Sequence, residues 1–122
     1  MKSPHVVTAL LEWGAGLALL ACPSAMTELL VGAPLETPAA WTVARVGGAG
    51  LVALGVACWL ARNDAGSRAA RGIVAGMLFY NIAVAGLLSY ACFGYGLRGV
   101  ALWPGVAVHA AMTVWCVASL RT

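Results

Sequence analysis

Charged residues are scarce in this sequence. Asp, Glu, Lys and Arg make up 9% of its 122 residues, whereas roughly a quarter of the residues in a soluble domain are charged. Hydrophobic residues reach 62%, which is far from the balance of a chain that folds in water. The shortage of charge excludes an ordinary soluble domain and indicates a protein whose main solvent is lipid.

Motifs for catalysis and cofactor binding are also lacking. The four cysteines, Cys22, Cys58, Cys92 and Cys116, contain no C-x-x-C pair, which excludes the dithiol motif of a thiol oxidoreductase. We therefore expect no cofactor, and an enzyme is less favoured than a binding or accessory protein. Cys22 and Cys92 are both expected near the outer surface, where a disulfide and free thiols are the two alternatives.

Apolar segments long enough to cross a bilayer fill most of the chain. About 20 apolar residues cross about 30 Å of hydrocarbon as a helix. We predict four such spans, at residues 4–22, 38–62, 68–93 and 100–120. The fold expected is all-α: a single transmembrane domain over residues 1–122, built as an antiparallel up-and-down bundle of four helices.

Proline and polar residues mark the ends of these spans. Pro23 closes the first, and Thr37 with Pro38 forms an N-cap and N1 pair that opens the second. Residues 24–32 combine several apolar side chains with Glu28, which favours a short helix lying in the membrane interface. A signal peptide is the competing interpretation of the first run, but Glu12 near its middle argues against one.

Basic residues set the expected orientation, because the cytoplasmic ends of spans retain Lys and Arg. One side of the predicted bundle carries Lys2, Arg62, Arg68, Arg71 and Arg121. We therefore expect a multi-pass protein of the bacterial inner membrane with both termini in the cytoplasm. The net charge of +3 is explained by this topology and by contact with anionic lipid; it does not indicate nucleic acid as a partner.

Small residues predict close contacts between helices. Helices in lipid associate through close backbone approach, and Gly48 with Gly55 in the second span and Gly72 with Gly76 in the third suit this role. We favour a role for these glycines in packing helices within one chain over a role in a homodimer interface. The partners expected are membrane lipid and, as further alternatives, other membrane subunits or a second copy.

One strongly polar residue falls deep in each span, at Glu12, Arg45, Asn81 and His109. A charged side chain at such depth costs several kcal/mol unless it faces the bundle interior and finds a partner. Glu12 and Arg45 form the natural ion pair, and Asn81 and His109 can complete a hydrogen-bonded layer. Tyr80 and Thr113 are candidates to extend it.

Two interpretations of this layer stay open. It lines a polar cavity that binds a small ligand, a lipid head group or a proton, or it is a structural clasp that fixes helix register. A metal site is a weaker alternative: His109, Met112 and Cys116 share one face of the fourth span and would suit copper, although such stripes are usually packing. We therefore expect no metal.

The chain resembles small uncharacterised bacterial inner-membrane proteins of the broad DoxX-like type. The resemblance rests on Pro23 after the first span, the run at 44–48, Tyr80 with Asn81, and Leu102, Trp103 and Pro104 followed by His109. It implies a four-helix fold and a membrane location. It supplies no catalytic residue.

The embedded Glu12 is also similar in kind to the glutamate of small multidrug resistance transporters. Those proteins work as dimers with an otherwise uncharged chamber, whereas Arg45 is expected here to neutralise Glu12. We therefore rank an accessory or ligand-binding membrane subunit first and a small proton-coupled transporter second. A membrane-embedded oxidoreductase or metal-binding subunit comes third.

Overall fold

The computed structural model of the protein describes residues 4–122. Within this range the helices are α1 (Pro4–Ala21), α2 (Pro23–Val31), α3 (Pro38–Ala61), α4 (Arg68–Tyr95) and α5 (Leu102–Arg121). All except the short α2 are long and apolar enough to cross a membrane. The predicted all-helical class and its four candidate transmembrane helices are confirmed. Lys2, which contributed to the expected orientation, lies outside the described residues.

Local sequence chemistry sets the helix boundaries. The side chains of Thr37 and Ser67 accept hydrogen bonds from the backbone N–H groups of residues 40 and 70, and so cap α3 and α4. Gly96 ends α4 in the left-handed conformation at φ 70°. Its N–H donates to the carbonyl oxygen of Cys92, which is the αL ending of a helix, and Leu97 N–H donates to the carbonyl oxygen of Ala91.

The long helices are arranged as two antiparallel pairs. α1 packs most extensively on α3, and α4 on α5, while the two pairs touch each other much less. Gly16 and Gly48 form the closest point of the first pair: a Cβ added to Gly16 would lie 2.7 Å from the carbonyl oxygen of Gly48, and the reciprocal distance is 2.8 Å. This contact brings the two backbones together, as small residues do between membrane helices.

Contacts between helix ends identify the two ends of the bundle. The His5 ring lies 3.3 Å from the carbonyl oxygen of Ala70, and Arg71 donates to that of Leu120 at 2.7 Å. The starts of α1 and α4 and the end of α5 therefore meet at what we call the terminal end. At the opposite end, called the α2 end, Ala101 N–H donates to the carbonyl oxygen of Leu29 at 2.8 Å.

A buried apolar core lies toward the terminal end. Its residues come from all four long helices and are Ala9, Cys58, Val74, Met77, Met112 and Cys116. Cys58 Sγ lies 3.5 Å from Met77 Sδ, and the Trp13 and Trp59 rings pack beside each other with centroids 5.5 Å apart. The core holds the two helix pairs together near the terminal end, and the polar residues described next lie between it and the α2 end.

Candidate functional site

Glu12 and Tyr80 join the two helix pairs across the middle of the bundle. The Tyr80 hydroxyl donates to Glu12 Oε2 at 3.3 Å, and only 5% of Glu12 is exposed. Glu12 comes from α1 and Tyr80 from α4. The bond therefore links helices that otherwise make little contact.

Asn81 and His109 form a second hydrogen-bonded pair, between α4 and α5. Asn81 Nδ2 donates to the carbonyl oxygen of Met77 at 2.8 Å, and His109 Nδ1 lies 2.7 Å from Asn81 Oδ1. Because Oδ1 can only accept, Nδ1 carries the proton of this bond, and Nε2 of the neutral ring is left as an acceptor. The Tyr80 and His109 rings meet edge to face with centroids 5.5 Å apart, which connects the two pairs of side chains into one polar layer.

Arg45 does not belong to this layer, and the expected ion pair with Glu12 is not formed. Arg45 is exposed, its Nε donates to the carbonyl oxygen of Leu20 at 3.1 Å, and its guanidinium lies 5.5 Å from the Trp41 ring centroid. Leu20 lies in the last turn of α1, where the carbonyl oxygens have no partner within the helix and the helix dipole favours a cation. Arg45 thus stabilises the break between α1 and α2.

Thr113 also lies outside the layer, since its hydroxyl donates to the carbonyl oxygen of His109 at 2.8 Å. The candidate metal set is also divided: His109 lines a cavity, Cys116 is buried in the core, and Met112 contributes to both. Within residues 4–122, no group of three or more His, Cys, Asp or Glu side chains is placed to hold a metal ion.

Cys22 is exposed and Cys92 buried, and both are free thiols.

The polar layer forms one end of a cavity of about 380 Å³ between the two helix pairs. Glu12, Tyr80, Asn81 and His109 line it at the middle of the bundle. From there the lining continues toward the α2 end and is almost wholly apolar; it includes Leu19, Met26, Leu30, Leu88, Pro104 and Val108. The cavity therefore has a polar head region and an apolar body, and none of its lining residues is Lys or Arg.

Thr8 is the polar lining residue that the sequence did not single out. It lies one helical turn before Glu12 on α1, is only 2% exposed, and its Oγ1 has no hydrogen-bond partner among residues 4–122. Other helical threonines, Thr27 and Thr42, donate to the carbonyl oxygen four residues earlier. The four-residue spacing from Glu12 places Thr8 on the same helical face, and this was the available signal.

The short helix α2 covers the apolar body of the cavity, to which it contributes Met26 and Leu30. Its end is held by the loop before α5. A Cβ on Gly99 would collide with the backbone of Leu29 and Leu30, and one on Gly32, at φ 75°, would collide with that of Arg98. These close approaches, with the Ala101 to Leu29 hydrogen bond, fix α2 across the opening between the pairs.

Comparison with known proteins gives no family assignment. No family model, curated protein or solved structure matches the chain.

Proposed function

We propose that this protein is a ligand-binding or accessory subunit of a bacterial inner membrane, and that it binds a small amphipathic molecule in the cavity between its two helix pairs. The observation that supports this most directly is the buried, unpartnered hydroxyl of Thr8, a residue that lines the polar end of the cavity. A buried polar group costs roughly 1–3 kcal/mol when it is left unsatisfied. A ligand that bonds this hydroxyl would remove that cost.

The alternative of a purely structural clasp fits the geometry less well. A clasp would satisfy each of its polar groups and close the space around them. Here Thr8 lacks a partner, Glu12 has one hydrogen bond, and the polar layer borders about 380 Å³ of space. Cavities of a few hundred Å³ that are mostly apolar, with a few convergent polar groups, are the usual form of small-molecule sites.

The proposal includes the orientation and the family resemblance. Four arginines, Arg62, Arg68, Arg71 and Arg121, lie at the terminal end or in the turn beside it, whereas two, Arg45 and Arg98, lie at or near the α2 end. By the positive-inside rule this favours cytoplasmic termini. The α2 end would then face the periplasm, so that a ligand reaches the cavity from the outer leaflet, in a protein of DoxX-like type.

Photocrosslinking tests the proposed cavity. The purified protein in nanodiscs would be irradiated with decanol carrying a diazirine on its chain, and labelled residues mapped by mass spectrometry. We expect labels on lining residues such as Met26 and Leu88, and their loss in Ala15→Phe, which places a ring in the cavity. Ala107→Phe, on an exposed face of α5, should keep them. Labels confined to lipid-facing residues would contradict the proposal.

A proton-coupled transporter is the second candidate, and a specific observation favours it. It ranks lower on the sequence because Arg45 was expected to neutralise Glu12, but Arg45 bonds to Leu20 instead. An acidic group without a basic partner is free to exchange a proton for a cation. Proteoliposomes with an imposed pH gradient should then export a lipophilic cation in a Glu12-dependent way. Equal flux through Glu12→Gln would exclude this candidate.

A further inference from the structure

Most hydrogen-bond donors of the polar layer are already used within the protein. The Tyr80 hydroxyl donates to Glu12, Asn81 Nδ2 donates to the carbonyl oxygen of Met77, and His109 Nδ1 donates to Asn81. Three of the four N–H and O–H donors of these side chains therefore have an acceptor inside the bundle, and the second Nδ2–H of Asn81 has none. A ligand that could only accept hydrogen bonds would find two donors, this N–H and the Thr8 hydroxyl.

Acceptors, by contrast, are left over at the same place. Glu12 Oε1 is not used by Tyr80, whose hydroxyl bonds Oε2. His109 Nε2 is an acceptor in the tautomer that its bond to Asn81 requires, and Thr8 Oγ1 has its lone pairs free. The layer thus needs hydrogen-bond donors from its occupant.

The charge of the residues that line the cavity also favours an occupant that donates hydrogen bonds, in the form of a cation. Glu12 is the one acidic residue that lines the cavity, and no Lys or Arg among residues 4–122 lines it. A carboxylate in an apolar cavity attracts a cation and repels an anion, and the attraction is stronger there than in water. A primary ammonium supplies both the charge and three donors.

Building on the proposed function, we infer that the occupant is a lipophilic amine whose protonated nitrogen lies between Glu12, Thr8 and His109. Its hydrocarbon part extends through the apolar body of the cavity toward α2. The size of the cavity suits a single short chain or a compact ring system. Anionic ligands are disfavoured by the charge of Glu12, and a neutral head group that only accepts hydrogen bonds would leave the acceptors of the layer unused.

Four probes that share one alkyl chain test this inference. Tritiated decylamine, decyltrimethylammonium, decanol and decanoate would be measured by equilibrium dialysis against the protein in phosphatidylcholine nanodiscs, with empty nanodiscs as the lipid background. We expect decylamine to bind tightest, by about ten-fold or more over decanol. Decyltrimethylammonium, a cation without N–H donors, should bind more weakly than decylamine, and decanoate should not bind above background.

Matched variants separate the site from general charge effects. Glu12→Gln should weaken decylamine binding by at least about ten-fold, and Thr8→Val by about five-fold, with decanol affected much less. Glu28→Gln makes the same charge change on the exposed face of α2 and should leave the affinity unchanged. Thermal unfolding would confirm that each variant is folded.

The outcomes are distinguishable. Decanol or decanoate binding as tightly as decylamine, or Glu12→Gln binding decylamine as well as the unmodified protein does, would overturn the amine inference but keep the cavity as a binding site. Equal binding of decyltrimethylammonium and decylamine would overturn the requirement for donors. Binding of none of the probes, together with crosslinks confined to lipid-facing residues, would remove the proposed function as well.

Discussion

Replacing Thr8 by Val is expected to weaken ligand binding without lowering the stability of the protein. Thr8→Val keeps the shape of the side chain and removes a desolvated polar group. We expect the free energy of unfolding of the empty protein to stay unchanged or rise by up to about 1 kcal/mol, as measured by thermal unfolding in detergent. Thr113→Val, whose hydroxyl bonds the carbonyl oxygen of His109, is the control and should not be stabilising. Destabilisation by Thr8→Val would show that the hydroxyl has a partner within the protein.

Double-mutant cycles test the rearranged polar layer. Glu12→Gln and Arg45→Gln should be additive within about 0.5 kcal/mol, because the two side chains share no contact. Asn81→Ala and His109→Ala should instead show coupling of about 0.5–3 kcal/mol, since these residues form a direct hydrogen bond at 2.7 Å. Strong coupling between Glu12 and Arg45 would mean that they pair in the membrane and would contradict the structure.

Glu12, Asn81 and His109 line one cavity, as expected if the cost of burial makes deep polar groups face inward. Arg45 lies elsewhere, because depth along a helix does not determine the helical face. A long side chain can also reach the helix end from a lipid-facing position. The acceptor that holds Arg45, the Leu20 carbonyl oxygen, exists only because α1 breaks before Pro23.

Glycines that look equivalent in sequence have different roles in the helices. Gly48→Leu should separate α1 from α3 and destabilise the protein by about 1–3 kcal/mol or more, because its Cβ would press on Gly16 and Leu19. Gly76→Leu should change stability by less than about 0.5 kcal/mol, since a Cβ there meets no atom within 4 Å. Thermal unfolding of both variants provides the comparison. A larger loss at Gly76 would indicate packing against a second copy.

A pair of small residues in a helix therefore indicates a close contact, but it does not identify the helix or the second copy that makes this contact. Gly72 and Gly76 have the strict four-residue spacing and are open within the chain. Gly16, which is not part of a strict glycine pair, makes the closest contact between α1 and α3. Which faces of the helices meet depends on their pairing, and the pairing is not encoded in any single helix.

The attachment of α2 makes a prediction for that element. Gly99→Ala should push the end of α2 away from the loop before α5, because there is no room for a Cβ against the backbone of Leu29 and Leu30. We expect faster hydrogen exchange of the α2 amides with unchanged exchange in α1 and α3. Gly86→Ala, where a Cβ meets no atom within 4 Å, is the control. Unchanged exchange in α2 would show that other contacts hold it.

For the whole molecule, cysteine labelling tests the proposed orientation. Cys22 is exposed at the α2 end, whereas Cys58 and Cys116 are fully buried. A membrane-impermeant maleimide should label Cys22 in intact bacterial spheroplasts, because the proposed topology places it on the periplasmic side. Cys22→Ser should abolish the label. Labelling that requires disrupted membranes would place the α2 end in the cytoplasm.

The pairing of the helices also has a mechanical consequence. Because α1 with α3 and α4 with α5 are each tightly packed while the pairs share few contacts, the softest deformation is a rigid-body opening along the plane between them. The cavity lies in that plane, and the Glu12 to Tyr80 bond crosses it. In the proposed membrane location, lateral tension would act across this plane, so that membrane tension and occupancy of the cavity would be coupled.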